Sequence, residues 1–334
     1  MKILSFLLFL GCFCTVPVLS QTKLPVSPHF KIQQLAPGVW AAINNNLGGH
    51  AICNAGIIDL GNKTVVFDPF MNLDAAADLK KAALLLTGRM PSLVINSHGH
   101  NDHIRGNQVF LPATVMSSRS ARDEMAASEP KELKWEKENA PAILAGYRNR
   151  MAKATTPEEK KELLLWIRYF EGMVKSGPYL KTTLPDLTFT DSLWIYGSKR
   201  SIKLIEYPQA HTPGDVALFL PESGIVFSGD MLFTRSHPWL SDGDPDRLNT
   251  YLQEWLSNTL LKTFVPGHGE VGDRSSVLEM QYYIKELKAL VKTKKEAGIA
   301  DSVIIRSPIP DAYAQWTFGR RFFEANVAFL CNRN

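Results

Sequence analysis

The chain is poor in cysteine, and it has no long apolar run, dense basic block, internal repeat or low-complexity tract. Each shortage closes off a class. No stretch of Lys and Arg is interleaved with aromatics. The nearest, Lys292-Thr293-Lys294-Lys295-Glu296, reads as the solvated end of a helix, so nucleic acid is not an expected partner. The apolar run Ile3–Cys14 is shorter than the roughly 20 residues of a membrane span and is followed closely by Pro17. With Lys2 before it and Val18-Leu19-Ser20 at a cleavage site, Met1–Ser20 reads as a secretory signal peptide. The expected location is therefore periplasmic or secreted, without an integral span in the mature chain. A lipid anchor at Cys12 is a weaker reading, because Phe9-Leu10 fits a lipoprotein signal poorly. Beyond the leader only Cys53 and Cys331 remain, and the sequence leaves open whether they pair or stay as buried thiols.

The other 314 positions, Gln21–Asn334, have an ordinary globular composition, with 45% hydrophobic and 21% charged residues across the chain and a formal charge of +4. One domain is expected, since α/β folds often reach this length undivided. Its most telling segment is His98-Gly99-His100-Asn101-Asp102-His103, four potential metal ligands directly after the apolar Leu93-Val94-Ile95. His98 and His100, two apart, can converge on one cation, while Asp102 and His103 turn toward a second. The segment contains no cysteine, so the thiolate that marks structural zinc is missing and catalytic use is favoured. Further ligands must come from elsewhere. His211 follows the strand-like Ile202–Ala210 and precedes the turn Thr212-Pro213-Gly214-Asp215. Asp230 stands past Gly224–Gly229, and His268 past Thr263–Gly267. All four segments place their chemistry just beyond a β-rich stretch, where α/β proteins bind ligands.

The series His98-x-His100-x-Asp102-His103, His211, Asp230, His268 resembles the motifs of the metallo-β-lactamase superfamily. Asn54–Asp59 with Thr64–Asp68, and Gly106-Asn107, agree with it, and the likeness runs from about Leu35 to Asn334. It implies a four-layer αβ/βα sandwich and a centre for two divalent cations, zinc first, with iron or manganese also compatible. His98, His100 and His211 would hold one cation and Asp102, His103 and His268 the other. Asp230 would bridge them, and Asp68 would support an imidazole rather than bind metal. The implied activity is hydrolysis of an ester, lactone, thioester, amide or phosphodiester in a small-molecule substrate by a metal-bound hydroxide, with Asp102 serving as both ligand and orienting group.

Asp230 places the resemblance nearest the bridging-carboxylate branch, as in glyoxalase II and lactonases, because the best-known antibiotic-hydrolysing branches carry Cys or a non-ligand there. β-Lactamase activity is thereby disfavoured. His100 argues against the flavodiiron-type reductases of this fold, which generally have Glu at that place. An oxidoreductase similar to the mononuclear iron persulfide dioxygenases is the alternative, opposed by the complete second ligand set. A protein that keeps the site only structurally is a third reading, opposed by the absence of any gap in the ligand series.

One segment, about 118–179, departs from the strand-and-turn rhythm and reads as a helical insertion, either a lid or an extension of the outer helix layer. Thr156-Pro157-Glu158-Glu159 is a capped helix start, after which Leu163, Leu164, Ile167, Phe170 and Val174 recur at helical spacing. Helices are also expected over 277–295 and 320–330, packed against the sheet. Gly48-Gly49-His50, Arg235, His237 and Trp239 lie near the motifs in sequence without a pattern that assigns them a role, and His29 has no context.

Overall fold

The computed structural model describes residues 24–45 and 47–333. The leader expected over 1–20 lies outside them. Two sheets carry the molecule. The first has seven strands that neighbour one another in chain order: β1 (Phe30–Ala36), β2 (Val39–Asn44), β3 (Ala55–Asp59), β4 (Thr64–Phe67), β5 (Leu93–Ile95), β6 (Thr114–Ser118) and β7 (Leu187–Phe189). It is antiparallel through β4 and parallel from there to β7. The second runs β12-β11-β10-β9-β8, built from β8 (Ser192–Tyr196), β9 (Ser201–Pro208), β10 (Gly214–Leu220), β11 (Ile225–Phe227) and β12 (Thr263–Val265). Only β11 and β12 are parallel in it. The helices are α1 (Leu73–Thr87), α2 (Asn101–Ile104), α3 (Asn107–Phe110), α4 (Arg119–Met151), α5 (Pro157–Ser176), α6 (Pro245–Ser257), α7 (Arg274–Glu296), α8 (Asp301–Ile305) and α9 (Gly319–Asn332).

The layering follows from alternation along the strands. Val65, Phe67, Leu93 and Ile95 of the first sheet meet Leu204, Val216, Leu218 and Phe227 of the second in one buried cluster. Their neighbours Val66 and Val94 face the other way, onto Ala75, Ala76, Leu79 and Ala83 of α1. On the far side, Tyr207, Ala217, Phe219 and Phe264 pack with Leu252 and Trp255 of α6 and Met280, Tyr283 and Ile284 of α7. Helix, sheet, sheet, helix is the expected αβ/βα sandwich. Gly56 lets the sheets close, because a Cβ there would stand 2.7 Å from the Phe227 ring. That ring, 1% exposed, contributes on the order of 1.5–3 kcal/mol by its burial.

Two helices, α4 and α5, fill most of 118–179. Thr156 accepts the Glu159 amide and Pro157 opens α5, as its sequence predicts. The buried stripe is Leu163, Trp166, Ile167, Phe170 and Met173, whereas Val174 is exposed. The stripe is thus rotated toward the two bulkiest apolar side chains, Trp166 and Phe170, which bury the most area. The last helix, α9, packs on α7 and α8 and reaches α5 through Phe322 against Trp166.

Candidate metal centre

Each donor-bearing segment begins at the end of a strand, and the first continues into α2, which carries Asp102 and His103. His98 follows β5, His211 lies between β9 and β10, Asp230 follows β11 and His268 follows β12. The two sheets are tied together here. The Val216 amide donates to the Ser97 carbonyl at 2.7 Å, and Asn54 donates its side-chain amide to the Pro266 and Gly269 carbonyls, both at 2.8 Å. His268 is thereby held opposite the turn that carries His98–His103.

Side-chain donor atoms of His98, His100, His211 and Asp230 converge, as do those of His103, Asp230 and His268. Asp230 lies between the two groups, its oxygens 3.2 Å from His103 Nε2, 3.2 Å from His268 Nε2 and 3.4 Å from His211 Nε2. Asp102 joins the second group, 3.3 Å from His268 Nε2 and 3.5 Å from His103 Nε2. His100 turns its Nδ1 inward, 3.1 Å from His211 Nε2. All seven residues singled out from the sequence are therefore in one place.

Four of the five imidazoles are fixed from behind, as ligating histidines commonly are, whereas His211 Nδ1 is buried with no hydrogen-bond partner among the described residues. His98 Nδ1 meets Ser97 Oγ at 2.8 Å, His103 Nδ1 meets Asp68 Oδ2 at 2.9 Å, and His268 Nδ1 meets the Ile52 carbonyl at 2.9 Å. Asp68 also accepts the Ser97 amide at 2.7 Å, and it does so from a left-handed backbone, φ 54°, which a non-glycine residue adopts only where its surroundings hold it. Behind His100 stands Asp242, whose carboxylate lies 3.0 Å from Nε2 and also accepts the Trp239 indole N–H at 2.9 Å. Sequence reasoning missed Asp242, since Ser241-Asp242-Gly243-Asp244 has the composition of an ordinary turn.

The unassigned residues divide. Trp239 reaches the centre through Asp242. His237 is buried against Tyr283, its Nδ1 3.0 Å from the phenol oxygen. His29 and His50 pair with each other, His29 Nδ1 accepting the His50 amide at 3.1 Å. Cys53 and Cys331 are both buried and unpaired. Burial pushes the Cys53 thiol well up, and it donates to the Asp102 carbonyl at 2.9 Å, so it steadies the ligand turn as a neutral group.

The insertion grips the same turn. Arg105, just past α2, is buried between Glu129 and Glu136 of α4, at 2.9 Å from Glu129 Oε1. Asn101 donates to Glu136 at 2.9 Å and accepts from Tyr169 of α5 at 3.2 Å. Burial works against the Arg105 charge, but the two glutamates raise its pKa above the usual value.

Charges in the centre are sorted by environment. Burial holds His98 well below the ordinary imidazole value, and it takes His211 down to about 4 against the pull of Asp230. Burial also opposes protonation of His100, yet the hydrogen bond and charge of Asp242, with Asp102 and Asp230, raise it to about 9. Asp230 is buried, and the His268 and His103 charges beside it keep its carboxyl well below the usual range. His98 Nε2, His103 Nε2 and Asp230 Oδ1 are buried with no hydrogen-bond partner among the described residues. Unpaired buried acceptors aimed at common points are costly unless a cation satisfies them, and imidazole with carboxylate is a donor set for zinc, iron or manganese. The residues fit a metal. The centre opens to solvent on one side, where the side chains of His100 and Asp102 are 24% and 14% exposed.

A sandwich of two sheets between helices, with a His and Asp cluster at the strand ends, makes this an α/β protein with a candidate metal centre. The family described as the metallo-beta-lactamase superfamily matches residues 48–269, more than half of the chain, and the protein belongs to it. Solved structures share the fold at low identity. A metallo-beta-lactamase from Pontibacter korlensis is 14% identical with a TM-score of 0.56, over 77% of this chain and 99% of that one. One from Erythrobacter litoralis is 15% identical with a TM-score of 0.53, over 78% and 98%. A stereoselective inverting sec-alkylsulfatase from Pseudomonas sp. is 12% identical with a TM-score of 0.62, over 91% of this chain and 50% of that one.

Proposed function

We propose that the protein is a metal-dependent hydrolase of a small-molecule ester, lactone, thioester, amide or phosphodiester, holding one cation with His98, His100 and His211 and a second with Asp102, His103 and His268, bridged by Asp230. The observation that carries this reading is the placement of the Asp230 oxygens at 3.2–3.4 Å from three imidazole nitrogens drawn from both donor groups. Two cations bound there would lower the pKa of a water and polarise the bond it attacks. The chain itself supplies the rest. Asp230 stays ionised between the groups, and burial keeps His98 and His211 neutral and free to donate lone pairs. At the open side Asp102 can orient the attacking water, while the sealed far side excludes bulk solvent.

The sulfate ester named for the Pseudomonas neighbour belongs on the same substrate panel. Export follows in this reading from the leader-like Met1–Ser20. The test is elemental analysis of the native protein joined to a hydrolase panel before and after chelation. Close to two metal ions per chain and chelation-sensitive turnover are expected, and His100→Ala should abolish turnover while leaving the circular dichroism spectrum unchanged. A folded, unchelated preparation without stoichiometric metal overturns the proposal, and iron with oxygen uptake would point to the oxidoreductase alternative.

A further inference from the structure

Beside the metal centre lies a cavity of about 820 Å³ that none of the seven donor residues lines. It is bounded by the start of α5, the end of α4 and the segment running into α9, with Leu47 contributing from the loop before Gly48. Its volume falls within the roughly 300–1,000 Å³ of pockets that enclose drug-sized ligands. Four aromatic side chains face it, Tyr147, Trp166, Trp316 and Phe318.

Phe318 joins the cavity to the chemistry. It lines the cavity, and its ring stands edge-on to the His268 ring at 5.1 Å between centroids. Its backbone is left-handed, φ 65°, a costly conformation for an aromatic residue that the stack on Phe322 at 4.6 Å helps to hold. A ligand in the cavity therefore abuts the second donor group across a single ring rather than occupying a remote face.

The charge pattern narrows the occupant. Four cationic and four acidic side chains stand around the cavity. Glu162 accepts the Arg320 and Arg321 amides at the start of α9, and Glu324 pairs with Arg320. Arg321 lies over the Trp166 face at 4.3 Å and donates to the Tyr147 hydroxyl at 2.6 Å. With the signs balanced, no net charge selects a charged end, and aromatic area is what the cavity offers. We infer that this cavity holds an uncharged apolar chain of the substrate, an alkyl, acyl or aromatic group of medium length, while the bond to be broken sits at the metal centre. The inference rests on the hydrolase reading only for the reacting end.

The test separates the two. Binding of 1-butanol, 1-hexanol and 1-octanol to the full protein is followed by tryptophan fluorescence and calorimetry, with metal bound and after chelation. Saturable binding that tightens roughly fourfold per added methylene, unchanged by chelation, is expected. Gln315→Trp and Ala314→Trp, at exposed positions on the cavity wall, should each weaken 1-octanol binding at least about tenfold. In the turnover arm these variants should lower kcat/KM for p-nitrophenyl decanoate while sparing p-nitrophenyl acetate. Absence of a chain-length dependence, loss of binding on chelation, or unchanged binding in both variants overturns the inference. A protein that takes up no metal yet binds 1-octanol as described would sink the hydrolase reading alone.

Discussion

At the scale of single residues, the proposed centre separates groups that would bind metal from groups that set their protonation. Asp242 belongs to the second kind. By holding His100 at about 9 it would make metal uptake at neutral pH a displacement of protons, so affinity should rise with pH until His100 has lost its proton. Asp242→Asn removes the charge that raises His100. At pH 7.5 this variant should release about one proton fewer per chain on metal binding, read by calorimetry in buffers of different ionisation enthalpy. Above about pH 9, where both forms of His100 are neutral, the variant should bind metal roughly 10–100-fold more weakly, because the imidazole has lost its anchor. Equal proton release from the two proteins would refute this assignment. The ligands were legible in the sequence because histidines and aspartates stood at strand ends in a fixed order. Asp242 was not, since a carboxylate in a Gly-containing turn looks the same whether it meets solvent or an imidazole 142 residues away.

At the scale of elements, α4 and α5 act on the ligand turn through buried polar groups. Arg105 and Glu129 are 4% and 2% exposed, and Arg105 serves Glu136 as well, so removing the guanidinium strands carboxylate charge in the interior. Arg105→Ala should cost about 3–5 kcal/mol in urea unfolding. Tyr169→Phe should cost only about 1 kcal/mol, but it leaves Asn101 held by Glu136 alone and should speed metal loss from the Asp102 and His103 side, measured by chelator competition. If metal release were unchanged in Tyr169→Phe, the insertion would be packing alone. The sequence announced these helices through the Thr156 cap and the spacing from Leu163 to Phe170, but not their grip on the turn. That grip depends on Arg105 and Glu136 meeting across the fold, which no local pattern encodes. Strands of three residues such as β5, β11 and β12 are likewise too short for periodicity to define, and they were visible only because ligands followed them.

At the scale of the whole molecule, the donors are divided between the sheets, His98 to His103 from the first and His211, Asp230 and His268 from the second. Metal that binds only this arrangement stabilises the folded state, by roughly 4 kcal/mol when free metal is about 1,000-fold above its dissociation constant. Chelation should therefore lower the calorimetric midpoint by several degrees while unfolding remains one transition, because the sheets share a core. An unmoved midpoint would mean that the metal bridges nothing.

The division of donors also sets an order of events during synthesis. When His103 leaves the ribosome four of the seven donors are present, yet the carboxylate between the two groups is residue 230 and the last imidazole is residue 268 of 334. A nascent chain cannot complete either half of the centre until most of its length is made. Metal held by all seven donors would thus be acquired only after residue 268 has been made, in whichever compartment the polypeptide first folds.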